Sequence, residues 1–208
     1  ASTPAACWSM PAPARPAGSL LHTPQHRRRE KESLRAAGVP TVPFAAVESE
    51  AELAAAVAAI GTPAILKTAA WGYDGKGQVR VTRATEASAA WERLDRAPAV
   101  LEAVASFERE ISVVGARGVD GAVALYDPVE NTHVHHILDL SVAPAELPAT
   151  VAARAQEIVR TLLEAWDVVG VVCVELFVMP GGELVVNEVA PRPHNSGHLT
   201  LDAHVTSQ

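Results

Sequence analysis

The 208-residue chain contains only two cysteines, Cys7 and Cys173, too few for the disulfide framework that staples small secreted domains. Cys173 falls in the apolar run VVCVELFV (171–178) and is expected to be a buried, reduced thiol. Long apolar stretches are missing too. Runs such as Val168 to Val174 fall far short of the roughly 20 residues that a membrane-spanning helix needs. Positive charge is also scarce: 17 Lys and Arg face 24 Asp and Glu, for a net charge of −7. That balance argues against a surface built to neutralise nucleic-acid phosphates or an anionic membrane. No basic stretch followed by an apolar core opens the chain, so a secretory signal is not expected. The Pro/Ala-rich residues 1–21 are expected to lack fixed structure, and the setting is expected to be the cytoplasm. The first residue is Ala1 and the last is Gln208, which suggests a piece of a longer protein.

What the chain does have is apolar content, 49% of residues, enough for one substantial core or two small ones sharing a cleft. Thr23-Pro24, an N-cap hydroxyl followed by proline at the first helical position, with Gly38 to close the far end, predicts a helix over 24–37. Its Arg27, Arg28, Arg29, Lys31 and Arg35 read either as a solvated face or as cations of which one or two meet a polyanion. An extended crossing over 39–47 leads to Ser49-Glu50-Ala51-Glu52, a capping-box spacing that opens an alanine-rich helix ending at Gly61. A strand over 64–68, a glycine loop over 71–77, a strand over 78–82 and a helix capped by Thr85 and running to Asp95 follow. The chain then turns mainly β, with strands over 100–103, 110–117, 122–127 and 129–142, and a hairpin turn at Asp120-Gly121. Pro148 opens a long helix whose Val151, Ala155, Ile158, Val159, Leu162, Leu163 and Trp166 share one face. Strands over 170–179 and 183–190 close the pattern. The fold class is therefore α+β, with a cleft between two small sheets as the natural ligand site.

Gly72-Tyr73-Asp74-Gly75-Lys76-Gly77-Gln78 fits neither the P-loop nor the Rossmann pattern. It is either a simple turn or a flap whose backbone N–H groups approach anionic oxygens. Lys67, on the strand before it, needs a partner if buried; triphosphate oxygens would serve, and snorkelling from a strand edge is the alternative. Glu175 and Glu188 lie in apolar strands. Side by side they would repel unless a cation lay between them, and magnesium takes such oxygen ligands, with Asn187 as a further donor. Both acids pointing to solvent is the alternative. Arg192, His194, Asn195 and Ser196 crowd a proline-stiffened loop suited to carboxylate, bicarbonate or phosphate.

Lys67, GYDGKGQ (72–78), Glu102 with FEREISVVGARG (107–118), ENTHVHHILDLSVAPA (130–145), VVCVELFV (171–178) and VNEVAPRPHNSGHLTLDAHVTSQ (186–208) together resemble the ATP-grasp ligases. More narrowly they resemble the 5-(carboxyamino)imidazole ribonucleotide synthases of purine biosynthesis, over residues 22–208. The resemblance implies a small lobe over 49–104 and a large lobe over 105–208 clasping Mg-ATP, with residues 22–48 left from a preceding domain. Manganese is an alternative to magnesium. ATP would phosphorylate bicarbonate to carboxyphosphate, and 5-aminoimidazole ribonucleotide would be carboxylated. Lys67 and Gly72, Gly75, Gly77 and Gln78 would hold phosphates. Glu102, Ala103 and Val104 would meet adenine, Glu110 the ribose, and Arg27 and His133 further parts of the nucleotide. Asn187 and Glu188 complete the nucleotide site, while Glu175 and Glu188 match the metal ligands. Tyr73, Asp74 and Lys76 would face the imidazole ribonucleotide, and Arg192, His194, Asn195 and Ser196 the bicarbonate. The family's proteins are homodimers with further domains at both ends, so apolar surface is expected where those would dock. A silent ATP-binding fragment and an ATP-grasp ligase for another substrate are the competing expectations.

Overall fold

The computed structural model describes residues 20, 22–70 and 76–208; the expectations for residues 1–19, 21 and 71–75 lie outside them. The described chain folds into two antiparallel sheets with helix α1 (Arg27–Ala36) between them. The small sheet has the order β1 (Phe44–Val47), β4 (Ala99–Ala103), β2 (Ala64–Thr68), β3 (Gln78–Val81). The large sheet has the order β10 (Leu184–Ala190), β9 (Gly170–Val178), β5 (Arg109–Arg117), β7 (Val129–Val134), β8 (Ile137–Val142), with β6 (Val123–Leu125) paired to β5. No helix among the described residues is long and apolar enough to cross a membrane.

Each sheet buries one face. On the small sheet, Ala64, Leu66, Val79, Val81 and Leu101 pack against α2 (Glu50–Ile60) and α3 (Ala87–Glu92) through Leu53, Ala56 and Trp91. On the large sheet, Ile111, Val113, Val172, Val174, Leu176 and Val178 pack against Ile158, Val159, Leu162 and Leu163 of α4 (Ala149–Ala165). The predicted apolar stripe of α4 is therefore its buried face, with Trp166 only partly covered. Strand period two then sends the intervening residues of each sheet to the side away from its helices.

Gly115 shows how close the β5–α4 contact is. A Cβ built there would lie 2.7 Å from Leu125 Cδ2 and 2.8 Å from Val159 Cγ1. Gly115→Ala is expected to destabilise the chain by about 1–3 kcal/mol through overpacking, read from the urea midpoint.

Several local expectations need correction. The first helix begins at Arg27, not Pro24: residues 23–25 form a turn, and the Arg27 N–H is taken by the Ala69 carbonyl at 2.8 Å. Tertiary contact thus replaces the Thr23 cap. Thr85 does not cap a helix to Asp95; it lies in a 3₁₀ turn (Ala84–Glu86), and Glu86 accepts from the backbone of Thr82 and Arg83. The helix after it ends at Glu92, and Asp95 and Arg96 both have positive φ. The extended run over 129–142 is a hairpin, broken at His135 and His136 with φ of 51° and 66°, the left-handed pair that a two-residue turn requires. By contrast Ser49 caps α2 as the spacing foretold, accepting from Glu52 N at 3.2 Å. Exposed apolar side chains cluster on β8, where Ile137, Leu140 and Val142 are each at least half exposed.

The two sheets are joined by two crossings. Residues 39–43 run along the outer edge of β10, where the Val186 N–H donates to the Pro40 carbonyl at 2.8 Å and Thr41 bridges Val186. Residues 104–108 return from β4, with the Glu108 N–H donating to the Val178 carbonyl. The crossings touch where the Ala103 N–H donates to the Pro43 carbonyl at 2.9 Å.

Candidate functional site

The face of the large sheet turned away from α4 carries a row of polar residues beside a small apolar cluster of Val114, Cys173 and Ala190. Register places Glu188 opposite Glu175, and Glu175 opposite Ser112. Asn131 follows, donating from Nδ2 to Ser112 Oγ at 2.9 Å and accepting at Oδ1 from Ser141 Oγ at 2.9 Å. The sequence reading of two acids side by side is thus met on neighbouring strands. Partial burial, then the nearby Glu175 charge, pushes the Glu188 carboxyl above its ordinary value. The Arg27 guanidinium stands 3.8 Å from Glu188, too far to discharge the pair fully. Such a carboxylate pair offers oxygen ligands to a hard cation. Among the described residues no cluster of three or more His, Cys, Asp or Glu could hold a metal by itself. Two carboxylates completed by phosphate oxygens and water are the pattern magnesium favours.

Glu175 also accepts from His194 Nε2 at 2.9 Å, and His194 Nδ1 meets Ser196 Oγ at 2.9 Å. Burial works to lower the His194 pKa, but Cys173 and Glu175 outweigh it and raise it to about 10. Ser196, His194 and Glu175 share the connectivity of a nucleophilic triad, yet Ser196 is fully buried and its hydroxyl also bonds Ser112 at 2.7 Å. Ser196 therefore props His194 and does not open on the cavity beside it.

That cavity, about 280 Å³, is lined by Pro24, Gln25, Arg27 and Glu30 of the α1 region, by Ala69 and Ala70, and by residues 188–192. It brings together Arg27, Glu188 and Arg192. Its volume is near the lower end of small-molecule sites, which hold roughly 300–1,000 Å³, and it suits phosphate or carbonate groups. Arg192 is exposed, with Nη1 donating to the Pro193 carbonyl, and Asn195 is exposed beside it.

On the small sheet, Lys67 Nζ donates to Glu102 Oε2 at 2.8 Å. The buried-lysine reading therefore finds its partner in a protein carboxylate. Lys31 Nζ is 3.8 Å from Glu102 Oε1, an oxygen without a hydrogen-bond partner of its own. Burial would raise the Glu102 pKa, but Lys31 and Lys67 more than reverse it and hold it below its ordinary value. Gln78 pairs with Lys67 in register, Gly77 accepts from Thr68 N at 2.8 Å, and Lys76 precedes them. Gly72, Tyr73, Asp74 and Gly75 lie outside the described residues. Ala103 ends β4 and Val104 begins the second crossing. Glu110 and His133 form a separate pair on β5 and β7, with His133 Nδ1 against Glu110 Oε2.

Two features escaped the sequence. The basic helix face is not simply solvated, since Lys31 is 2% exposed and Glu30 3%. Phe177, opposite Glu110 in register, stacks on Phe107 with centroids 4.3 Å apart. The Glu30-Lys31 pair looks like any helix-surface pair in sequence, and only tertiary placement distinguishes it.

A family model described as an ATP-grasp domain matches residues 32–208. The N5-carboxyaminoimidazole ribonucleotide synthase of Brucella melitensis is 44% identical over 195 residues, covering 93% of this chain and 54% of that protein. The Bacillus subtilis protein of the same name is 40% identical over 194 residues, covering 93% of this chain and 51% of its own. Among solved structures, N5-carboxyaminoimidazole synthase from Aspergillus clavatus in complex with ADP and 5-aminoimidazole ribonucleotide matches with a TM-score of 0.84 at 31% identity, over 93% of this chain and 51% of that one. The Thermus thermophilus N5-carboxyaminoimidazole ribonucleotide synthetase gives 0.86 at 39% identity, over 93% and 52%. This chain spans about half the length of these relatives.

Proposed function

Because the chain belongs to the ATP-grasp family, we propose that it binds Mg-ATP between its two sheets and drives carboxylation of 5-aminoimidazole ribonucleotide with bicarbonate. The observation that carries the reading is the meeting of Glu175 and Glu188 across β9 and β10, beside a cavity that Arg27 and Arg192 also line. Glu175 and Glu188, with Asn187 nearby, would hold magnesium, which when bound supplies charge neutralisation for the transferring phosphoryl group. Relatives by name carry out this synthesis, and the Aspergillus structure holds ADP with 5-aminoimidazole ribonucleotide.

The chain's own residues divide the work by chemistry. Lys67, released from Glu102 or shared with it, would meet phosphate oxygens, assisted by residues 72–78. The Glu102–Val104 segment and the Glu110–His133 pair would meet adenine and ribose. Arg192, with a planar fork for a carboxylate-like group, would orient bicarbonate for attack on the γ-phosphate, giving carboxyphosphate and ADP. His194, held cationic by Glu175, would add positive charge beside the anion that develops. No protein nucleophile is needed, since positioning and charge stabilisation carry phosphoryl transfer. A cytoplasmic location and the homodimer expected of full-length relatives belong to the same proposal.

The test is ADP release by the purified chain from Mg-ATP and bicarbonate, with and without 5-aminoimidazole ribonucleotide. Release that rises with the ribonucleotide supports the proposal. ATP binding with background release would assign the chain to nucleotide binding alone.

A further inference from the structure

We infer that Glu30 and Lys31 are positioning residues that pin the bulge of β10 and so aim Glu188. The inference rests on the reading of Glu188 as a metal ligand. In the β9–β10 ladder Val186 pairs with Leu176 and Glu188 with Glu175, so Asn187 is the extra residue of a bulge. A bulge re-aims the side chains next to it and breaks the local ladder. β10 is also the edge of its sheet, so its outward backbone groups need partners from elsewhere. Two adjacent side chains of α1 provide them on either side of Glu188. Lys31 Nζ donates to the Asn187 carbonyl at 2.9 Å, and the Val189 N–H donates to Glu30 Oε1 at 2.7 Å.

Edge protection alone does not account for this choice. Burying ionisable groups costs free energy that a neutral amide or a backbone strand avoids, yet both residues are almost wholly buried, and burial pushes the Glu30 carboxyl up to about 8. Lys31 does more than cover an edge: its ammonium also stands 3.8 Å from Glu102, the carboxylate that holds Lys67. One side chain therefore refers Glu188 on the large sheet and Lys67 on the small sheet to the same helix. Arg27, at the start of that helix, faces Glu188 directly. The direction of the Glu188 carboxylate is thus set by α1 as well as by its own strand.

The test uses Lys31→Met, Glu30→Ala and Lys31→Arg, with Glu30→Asp as a mild variant that keeps the carboxyl group but withdraws it by one methylene. Backbone amide exchange over residues 186–190 is compared with exchange over α4. Mn²⁺ affinity is measured by electron paramagnetic resonance with a non-hydrolysable ATP analogue, and analogue affinity is measured separately in EDTA. Lys31→Met and Glu30→Ala are expected to speed exchange at 186–190 selectively and to weaken Mn²⁺ binding by about tenfold or more, the usual effect of removing an outer-shell partner. Analogue affinity in EDTA changes much less, Lys31→Arg keeps most of the Mn²⁺ affinity, and Glu30→Asp is intermediate. In folded Lys31→Met and Glu30→Ala, unchanged exchange at 186–190, or faster exchange with unchanged Mn²⁺ affinity, overturns the inference. A wild-type chain that takes up no Mn²⁺ with the analogue defeats the metal-ligand reading instead, and the exchange data then decide the pin alone.

Discussion

Glu188→Gln is expected to abolish magnesium-dependent turnover without weakening the fold. The substitution removes one of two facing carboxylates and lowers turnover about a hundredfold or more, equivalent to losing about 3 kcal/mol of transition-state charge stabilisation. Stability moves the other way. In the ligand-free chain the Glu188 charge is disfavoured by partial burial and by Glu175, so a neutral amide relieves repulsion, and the lost Arg27 contact at 3.8 Å is weak. The melting temperature should hold or rise while ADP release falls. A lowered melting temperature large enough to explain the lost turnover would sink the metal-ligand role.

Glu102→Ala should have the largest effect on stability. It leaves the Lys31 and Lys67 ammoniums facing each other's field without the carboxylate that both approach. Removing one partner of such a buried group costs about 3–5 kcal/mol, a large part of a total that is ordinarily about 5–15 kcal/mol. Urea unfolding without nucleotide measures it, and a loss below about 1 kcal/mol, the scale of an exposed pair, would show that solvent already screens the cluster. The same group sets an acid limit. Its folded pKa lies below the ordinary 4.5, so its contribution is complete above that value and is lost as pH falls through the folded pKa. In Glu102→Gln the unfolding midpoint should therefore depend less on pH below 4.5 than in the wild type.

Much of this was legible beforehand because period and punctuation are local. Ser49 capped its helix, the α4 stripe was buried, and alternation in VVCVELFV put Glu175 on the face opposite Val174 and Leu176. The sequence left open whether Glu175 and Glu188 face each other or point to solvent, because that depends on the β9–β10 register. What the sequence hid depends on contacts between distant segments. The first helix starts where Ala69 supplies an acceptor, 42 residues on, and nothing near Pro24 reports that. Glu30 and Lys31 reach β10 at separations of 159 and 156 residues, so their burial has no local signature. Ser196 was placed near bicarbonate by the family resemblance alone. Its burial follows from Ser112 and Asn131 on strands whose register only the sheet defines.

The touching crossings between the sheets have a mechanical consequence. A single tether would let the small sheet swivel about its long axis and twist in several directions. Two ribbons joined at Pro43 and Ala103, one fastened along β10 and the other to the end of β9, behave as a strap hinge. A paired link of this kind leaves the small sheet fewer directions in which to turn against the large one than one strand would.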